Sequence, residues 1–331
     1  MINFATVGTN WITEEFIRAA KEIPTFTLKG VYSRTEESAK EFAEKVGAEL
    51  TFTSLEELAK HTEIDAIYIA SPNSFHAEQA ILLMNHGKHI ICEKPLASNT
   101  AEVKAMIDAA KKNNVVLMEA MKTTLLPNFK AVQKNIHKIG KIRRYFASYC
   151  QYSSRYDKYK EGIVLNAFNP TFSSGSLMDI GVYCVYPMVS LFGKPKSLKA
   201  NSYLLESGVD GEGSIILQYD DMDAIVMYSK ITNSYIPAEI QGEEGSMILD
   251  TIHTPKKVEI RYRDGRVEDI SEEQTHHPMY YEAKEFIELI ESGRHESAVN
   301  SHQNSLITME IMEEARKQSG VVFPSDEKVD V

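Results

Sequence analysis

The sequence predicts an α/β domain built on a doubly wound parallel sheet, followed by an α+β domain with a large, mainly antiparallel open sheet. Three observations predict it. Residues 1–121 alternate short, almost continuously apolar β-prone runs with segments whose apolar residues recur every three to four positions, as in parallel strands covered by helices on both faces. From residue 122 to 331, β-prone runs follow one another with turn signals such as Asp264-Gly265 between them, as antiparallel strands do. The 331 residues also suffice for two domains at roughly 150 residues each.

Taken in order, residues 3–7 form a strand ended by Gly8, and Ile12, Phe16, Ile17 and Ala20 then share one helical face. Residues 28–32 are a second strand, and Ala39, Phe42, Ala43 and Val46 repeat at i, i+3, i+4 and i+7. Residues 66–70 read as a buried strand before the stripe Ala77, Ala80, Ile81, Met84. Strand 89–92 precedes a helix carrying Val103, Met106, Ile107 and Ala110, with Asn99 as N-cap and Glu102 three residues on. Residues 115–118 close this series. A helix over 128–138 leads to strands at 142–150, 197–205, 214–219, 224–231, 238–241, 246–249 and 257–262. Two helical stripes end the chain, one with Ala283, Phe286, Ile287 and Ile290, the other over 306–315.

Composition narrows the function classes. With 43% hydrophobic and 25% charged residues, 17 Gly and 11 Pro, the chain is not collagen-like, low-complexity or largely disordered. Thirty-six Lys and Arg against 47 Asp and Glu give a net charge of −11 without a basic block, which speaks against nucleic-acid partners. Uninterrupted apolar runs stop at five residues, as in 66–70 and 80–84, so no membrane-spanning segment is expected. Residues 1–4 lack the pattern of a secretory signal. Cys92, Cys150 and Cys184 fit neither a disulfide framework nor a zinc site, and a reducing, cytoplasmic setting is expected. His86, His89 and Cys92 are spaced three apart, but alternate faces of a strand cannot bring His89 and Cys92 to one ion, and no metal site is expected. His276-His277-Pro278 reads as a loop pair.

The chemistry gathers at strand ends. The first strand runs into Gly8-Thr9-Asn10-Trp11-Ile12-Thr13 and a helix, where a glycine-rich turn lets backbone N–H groups meet a pyrophosphate. Asn10 and Thr13 stand where two further glycines are usual. Arg34 lies 21 positions after Thr13, close to the ~20 that separate this turn from the residue meeting the adenosine ribose. Ser33 and Arg34 would donate to a 2′-phosphate there, whereas an acidic residue would accept from a 2′-hydroxyl. Ser71-Pro72-Asn73-Ser74-Phe75-His76 and Glu93-Lys94-Pro95-Leu96 follow the next two strands.

The pairing of Ser-Pro-Asn…His with Glu-Lys-Pro-Leu resembles the glucose–fructose oxidoreductase/inositol dehydrogenase (Gfo/Idh/MocA) family. Gly175-Ser176-Leu177-Met178-Asp179-Ile180-Gly181-Val182-Tyr183 is similar to its second signature, and Gln241-Gly242-Glu243-Glu244-Gly245-Ser246 to its late turn motif. Tyr183, where inositol dehydrogenases carry histidine, is similar to the dimeric dihydrodiol dehydrogenase and NADP-xylose dehydrogenase branch. The resemblance implies a Rossmann domain over 1–121 and an α+β substrate-binding and oligomerisation domain over 122–331. It implies cofactor contacts from Gly8, Thr9, Asn10, Trp11, Ile12, Ser33, Arg34, Ser71, Pro72, Asn73, His76, Glu93 and Lys94, with a cis Lys94–Pro95 bond. It implies catalysis by Lys94, Asp179 and Tyr183, of which the last two, four apart, share a helix face. Substrate contacts would come from Lys122, Asn166, Asp179 and Tyr183. Ser173-Ser174-Gly175 stands where the branch has three glycines, and Lys122, Thr124 and Asn166 where it has aromatic or arginine residues, so the substrate is expected to differ.

The expected activity is hydride transfer between a nicotinamide and a carbinol or carbonyl of a sugar, polyol or vicinal diol, with NADP(H) preferred, NAD(H) also accepted, and a homodimer or higher homo-oligomer as the working form. The competing reading is a non-enzymatic, dinucleotide-bound sensor or regulator on the same fold. Retention of Lys94, Asp179 and Tyr183 together opposes it.

Overall fold

The structure, a computed structural model, describes residues 1–328, which form two compact units. One comprises Met1–Lys122 and His276–Leu306, the other Thr123–Thr275 and the chain from Ile307.

In the first unit six strands, β1 (Ile2–Val7), β2 (Phe26–Tyr32), β3 (Leu50–Phe52), β4 (Ala66–Ile69), β5 (His89–Glu93) and β6 (Leu117–Ala120), make a parallel sheet in the order β3-β2-β1-β4-β5-β6. The order reverses between β1 and β4, the switch point where open α/β sheets take ligands. Helices α1 (Trp11–Ala20), α2 (Glu36–Val46), α3 (Leu55–Lys60), α4 (His76–Met84) and α5 (Thr100–Asn113) connect the strands. Four of them start where a side chain accepts an otherwise unpaired backbone N–H, from Asn10, Thr35, Ser54 and Asn99. Asn99 Oδ1 accepts from Glu102 N at 2.9 Å, while Glu102 reaches back to Ser98 N. The short β3 and α3 have no counterpart in the sequence reading, because three strand residues and six helical ones carry too little periodicity.

The segment 276–306 packs with this first unit, although the sequence places it in one domain with 122–275. Helix α9 (Tyr280–Glu291) brings Ala283, Phe286 and Ile287 into the core that holds Phe4 and Phe16, with the Phe4 and Phe286 rings 5.9 Å apart. An amphipathic stripe shows that a face is covered, not what covers it. Asn300 Nδ2 donates to the carbonyls of Glu119 and Met121, and His302 Nε2 lies 3.0 Å from that of Leu117, so polar side chains cover the edge strand β6.

In the second unit helix α6 (Pro127–Asn135) leads to β7 (Ile142–Cys150), α7 (Ser154–Lys160), α8 (Val182–Phe192) and strands β8 (Ser197–Leu204), β9 (Asp210–Gln218), β10 (Asp223–Ser229), β11 (Ala238–Gly242), β12 (Gly245–Leu249), β13 (Val258–Tyr262) and β14 (Val267–Asp269). The sheet order is β14-β13-β12-β11-β7-β10-β9-β8, antiparallel except where β10 runs parallel to β7. Tyr145, Ala147, Ile215, Leu217, Ala224, Val226 and Tyr228 point into the core. On the opposite face Ile216 and Met227 are exposed. Residues 170–192 are long and apolar enough, at a mean hydropathy of 1.3, to cross a membrane by composition, which the short uninterrupted runs conceal. This stretch is nevertheless 72% buried in its most apolar window, the position of a core helix. Helix α10 (His302–Ser319) ends the regular structure before a 3-10 turn at Pro324–Lys328.

Candidate active site

In the first unit the sequence-predicted residues stand at the C-terminal ends of β1, β2, β4 and β5. Gly8 has φ +110°, and a Cβ there would lie 2.8 Å from the Ala70 carbonyl oxygen, so the ends of β1 and β4 approach as only glycine allows. Asn10 replaces a second glycine with a side chain that works in both directions. Its Oδ1 accepts from Ile12 N and Thr13 N at 3.0 and 3.2 Å, and its Nδ2 donates to Ala70 O at 2.8 Å. Thr9 and Ile12 are half-buried, Trp11 is exposed, and Thr13 is buried under the turn. Ser33 and Arg34 directly follow β2, Arg34 exposed, immediately before the Thr35 cap of α2. The glycine cradle, a capped helix N-terminus and a cationic strand end fit a dinucleotide carrying a 2′-phosphate.

Beyond β4, Ser71, Pro72 and Asn73 are half-buried, and Ser71 Oγ donates to Gln79 Oε1 at 2.6 Å. His76, expected among the cofactor contacts, is completely buried. Its Nδ1 lies 3.1 Å from Pro95 O and its Nε2 2.8 Å from Ser71 O. It therefore clamps the loops after β4 and β5 together and presents no ring nitrogen to a ligand. Burial pushes its pKa down against these two carbonyls.

The loop after β5 carries the cis Lys94–Pro95 bond. Phe16 stacks on Tyr68 with centroids 3.8 Å apart, and the Tyr68 hydroxyl donates to Glu93 Oε1 at 2.6 Å. Glu93 is buried and Lys94 half-buried. Burial lowers the Lys94 pKa, while Glu93, Glu119 and Glu282 favour its charged form. Burial raises Glu93 against the pull of Lys94 and the Tyr68 hydrogen bond. Glu119, whose Oε1 accepts from Leu96 N at 3.0 Å, is pushed up to about 7 by burial. Glu282, on α9, is 1% exposed, has neither oxygen hydrogen-bonded among the described residues, and is raised well above the carboxylate range by burial and then by Glu93. Sequence reading missed Glu119 and Glu282, since nothing in their neighbourhoods marks them as facing Lys94. Lys122, half-buried, opens the 3-10 turn after β6.

In the second unit Asp179 lies in a π-turn, Leu177–Gly181, that runs directly into α8. Such wide turns recur at functional sites. Asp210 on β9 holds the turn: its Oδ2 accepts from Leu177 N at 2.6 Å, and burial raises its carboxyl to about 7. Gly175, at φ +133°, leaves room for this carboxylate, since a Cβ would sit 2.2 Å from Asp210 Oδ1. Ser173, in the Ser-Ser-Gly stretch, adopts φ +52°, a left-handed position that glycine fills more readily. Pro187 lies inside α8 four residues after Tyr183, so the Tyr183 carbonyl has no N–H at its usual helical donor.

Tyr183 is half-buried, edge-on to Tyr149 at 5.8 Å and to His253 at 6.4 Å. Tyr149 and His253 stack face to face at 4.2 Å. Burial raises Tyr149 to about 12, which leaves it a neutral phenol beside Tyr183. Asp179 forms an ion pair with Lys230, whose side chain is 5% exposed. Asn166 is exposed at the start of a 3-10 turn. Lys230, His253 and Tyr149 escaped the sequence reading because strand partners far apart in the chain bring them there.

The sheet order, switch-point glycine and strand-end loops define the first unit as a dinucleotide-binding fold of the Rossmann type. The chain belongs to the Gfo/Idh/MocA family. Residues 2–121 match the family described as "Oxidoreductase family, NAD-binding Rossmann fold", and residues 130–248 match the "GFO/IDH/MocA C-terminal domain". The chain is 60% identical to the scyllo-inositol 2-dehydrogenase (NADP(+)) IolU of Bacillus subtilis (strain 168), over 99% of this chain and 100% of that protein. It is 32% identical to the trans-1,2-dihydrobenzene-1,2-diol dehydrogenase of Xenopus tropicalis, covering 95% and 96% of the two chains. A levoglucosan dehydrogenase solved with NADH and levoglucosan superposes with a TM-score of 0.84 at 24% identity, over 96% of this chain and 98% of that one, a likeness of fold.

Proposed function

We propose that this protein is an NADP(H)-preferring dehydrogenase that oxidises a secondary carbinol of a cyclic polyol, scyllo-inositol foremost, or reduces the corresponding ketone. The observation that carries the reading is the 60% identity, along essentially the whole of both chains, to a scyllo-inositol 2-dehydrogenase (NADP(+)). The bound nicotinamide would supply the hydride acceptor or donor. Gly8, Thr9, Asn10, Trp11 and Ile12 would hold the pyrophosphate side of the cofactor, Ser33 and Arg34 its 2′-phosphate, and Ser71, Pro72, Asn73 and Glu93 the remainder.

Each catalytic residue has a separate task. Tyr183 Oη takes the proton that leaves the substrate hydroxyl during oxidation and returns it during reduction. The Asp179 carboxylate accepts a hydrogen bond from the neighbouring hydroxyl of the polyol and so fixes the direction of the reacting one, whose single proton goes to Tyr183. Lys94, held by carboxylates and lowered by burial, donates to the substrate oxygen as charge develops on it. Lys122 and Asn166 contribute to polyol recognition. Residues 1–121 supply the cofactor site, and residues from 122 onward the substrate side, apart from 276–306, which fold with the first unit.

The protein works as a cytoplasmic homodimer. The exposed Ile216 and Met227, with half-buried Ile225 beside them, form an apolar sheet face suited to a second copy, and Cys92, Cys150 and Cys184 are free thiols, as a reducing compartment keeps them. The test is turnover of inositol isomers, aldoses and trans-diols with NADP+ and with NAD+, followed by absorbance of the reduced nucleotide. Preferred turnover of an inositol with NADP+ supports the reading. Tight nucleotide binding without turnover of any carbinol would favour the sensor alternative.

A further inference from the structure

We propose that Lys230 is a positioning residue for the reaction, acting through Asp179: it holds the Asp179 carboxylate ionised and in one orientation. The inference rests on the function proposed above and adds a residue to it.

Lys230 sits where β10 ends, and its backbone is held on both sides. Its N–H donates to Gly211 O at 2.9 Å, and its carbonyl accepts from Ser153 N at 2.9 Å. Ser229 closes the strand with a tight turn, its Oγ accepting from Thr232 N at 3.0 Å and from Thr232 Oγ1 at 2.7 Å. The lysine side chain is therefore launched from a fixed point. Its ammonium lies 5.4 Å from the centroid of the buried Phe168 ring and pairs with Asp179 Oδ2.

The two partners differ in exposure, 5% for the lysine side chain and 39% for the aspartate. A solvent-exposed pair would contribute little. Here the ammonium has left water and needs a compensating charge, while the carboxylate keeps part of its surface accessible. Asp179 is thus held by Lys230 while part of its side chain stays accessible. The π-turn that carries Asp179 is itself held by Asp210, so the carboxylate is set from its backbone and from its head. An ordered acceptor of this kind raises turnover by orienting the reacting group.

The experiment is a double-mutant cycle on the full-length protein with Lys230→Met, Lys230→Arg, Asp179→Asn and the Asp179→Asn/Lys230→Met pair. Each variant is read for kcat, for KM of the polyol, for NADPH affinity by fluorescence and for Tm. Lys230→Met is expected to lower kcat about tenfold or more with NADPH affinity unchanged, and Lys230→Arg to recover much of the loss. In the Asp179→Asn background Lys230→Met should cost no further kcat. Asp179→Asn alone should lower Tm by stranding a buried ammonium, and adding Lys230→Met should restore part of it. Multiplying losses in kcat, parent-like turnover of Lys230→Met, or absence of the Tm rescue would overturn the proposal. If the parent turns over no polyol, the functional reading fails, and the Tm arm alone decides whether Lys230 holds Asp179.

Discussion

At Tyr183 the side chain needs one exchangeable proton and a fixed ring. Tyr183→Phe keeps the edge contacts with Tyr149 and His253 but removes the proton carrier, so turnover should fall roughly 10²–10⁴-fold while NADPH affinity, measured by fluorescence titration, stays at the parent value. Parent-like turnover would remove Tyr183 from the proton route. Arg34 belongs to a different task. It is exposed at the end of β2, so Arg34→Ala should leave stability unchanged and weaken NADP(H) binding by about one to two decades, with NAD(H) affinity by calorimetry unaltered. Equal losses for both nucleotides would mean that Arg34 does not read the 2′-phosphate. Residues of this scale were legible when local sequence dictates their place. Gly8 and Arg34 sit at fixed distances from a strand–turn–helix junction, whereas Asp179 lies in the π-turn and Tyr183 in the α-helix after it, so their spacing of four is not that of one regular helix face. Lys230 was not legible: its partner Asp179 is 51 positions away, and only the pairing of β10 within the sheet brings the two together.

Elements place these groups through buried carboxyls that titrate far from their ordinary range. Asp210 ties β9 to the π-turn, and Glu119 on β6 holds the loop after β5 through Leu96 N; burial raises both to about 7. In the unfolded chain the same groups lose their protons near ~4. The folded state therefore binds more protons between those values, and their contribution to stability is full below pH ~4 and lost as pH rises through about 7. Buried His76 and His302, both lowered by burial, act in the opposite direction, so the comparison between parent and variant is the informative one. Urea unfolding of Glu119→Gln/Asp210→Asn across pH 5 to 8 should show less loss of stability with rising pH than the parent. An identical slope would place both carboxyls near their ordinary values. The elements themselves were largely readable, because long apolar stripes in α1, α2 and α5 and the β-prone runs of β7 and β10 leave little choice. What α9 packs against was not readable, since its apolar face would suit either unit. The π-turn was read as ordinary helix, because the carboxylate of Asp210 that meets its first N–H comes from a distant strand.

At the scale of the whole molecule, the face of the second sheet bearing Ile216 and Met227 predicts self-association. Light scattering at micromolar concentration should give a mass of at least twice the 37.3 kDa chain, and Ile216→Glu/Met227→Glu should reduce it to the monomer; a monomeric parent would contradict the assignment. The proposed reaction moves a hydride from a polyol carbinol to NADP+. Its most direct test uses scyllo-inositol deuterated on its ring carbons, turned over with NADP+, and mass analysis of the nucleotide product. Each reduced nucleotide formed should carry one deuterium, with the inositol ketone produced in equal amount. Reduced nucleotide without deuterium, or no reduction by any inositol under conditions where NADP+ is bound, would contradict it.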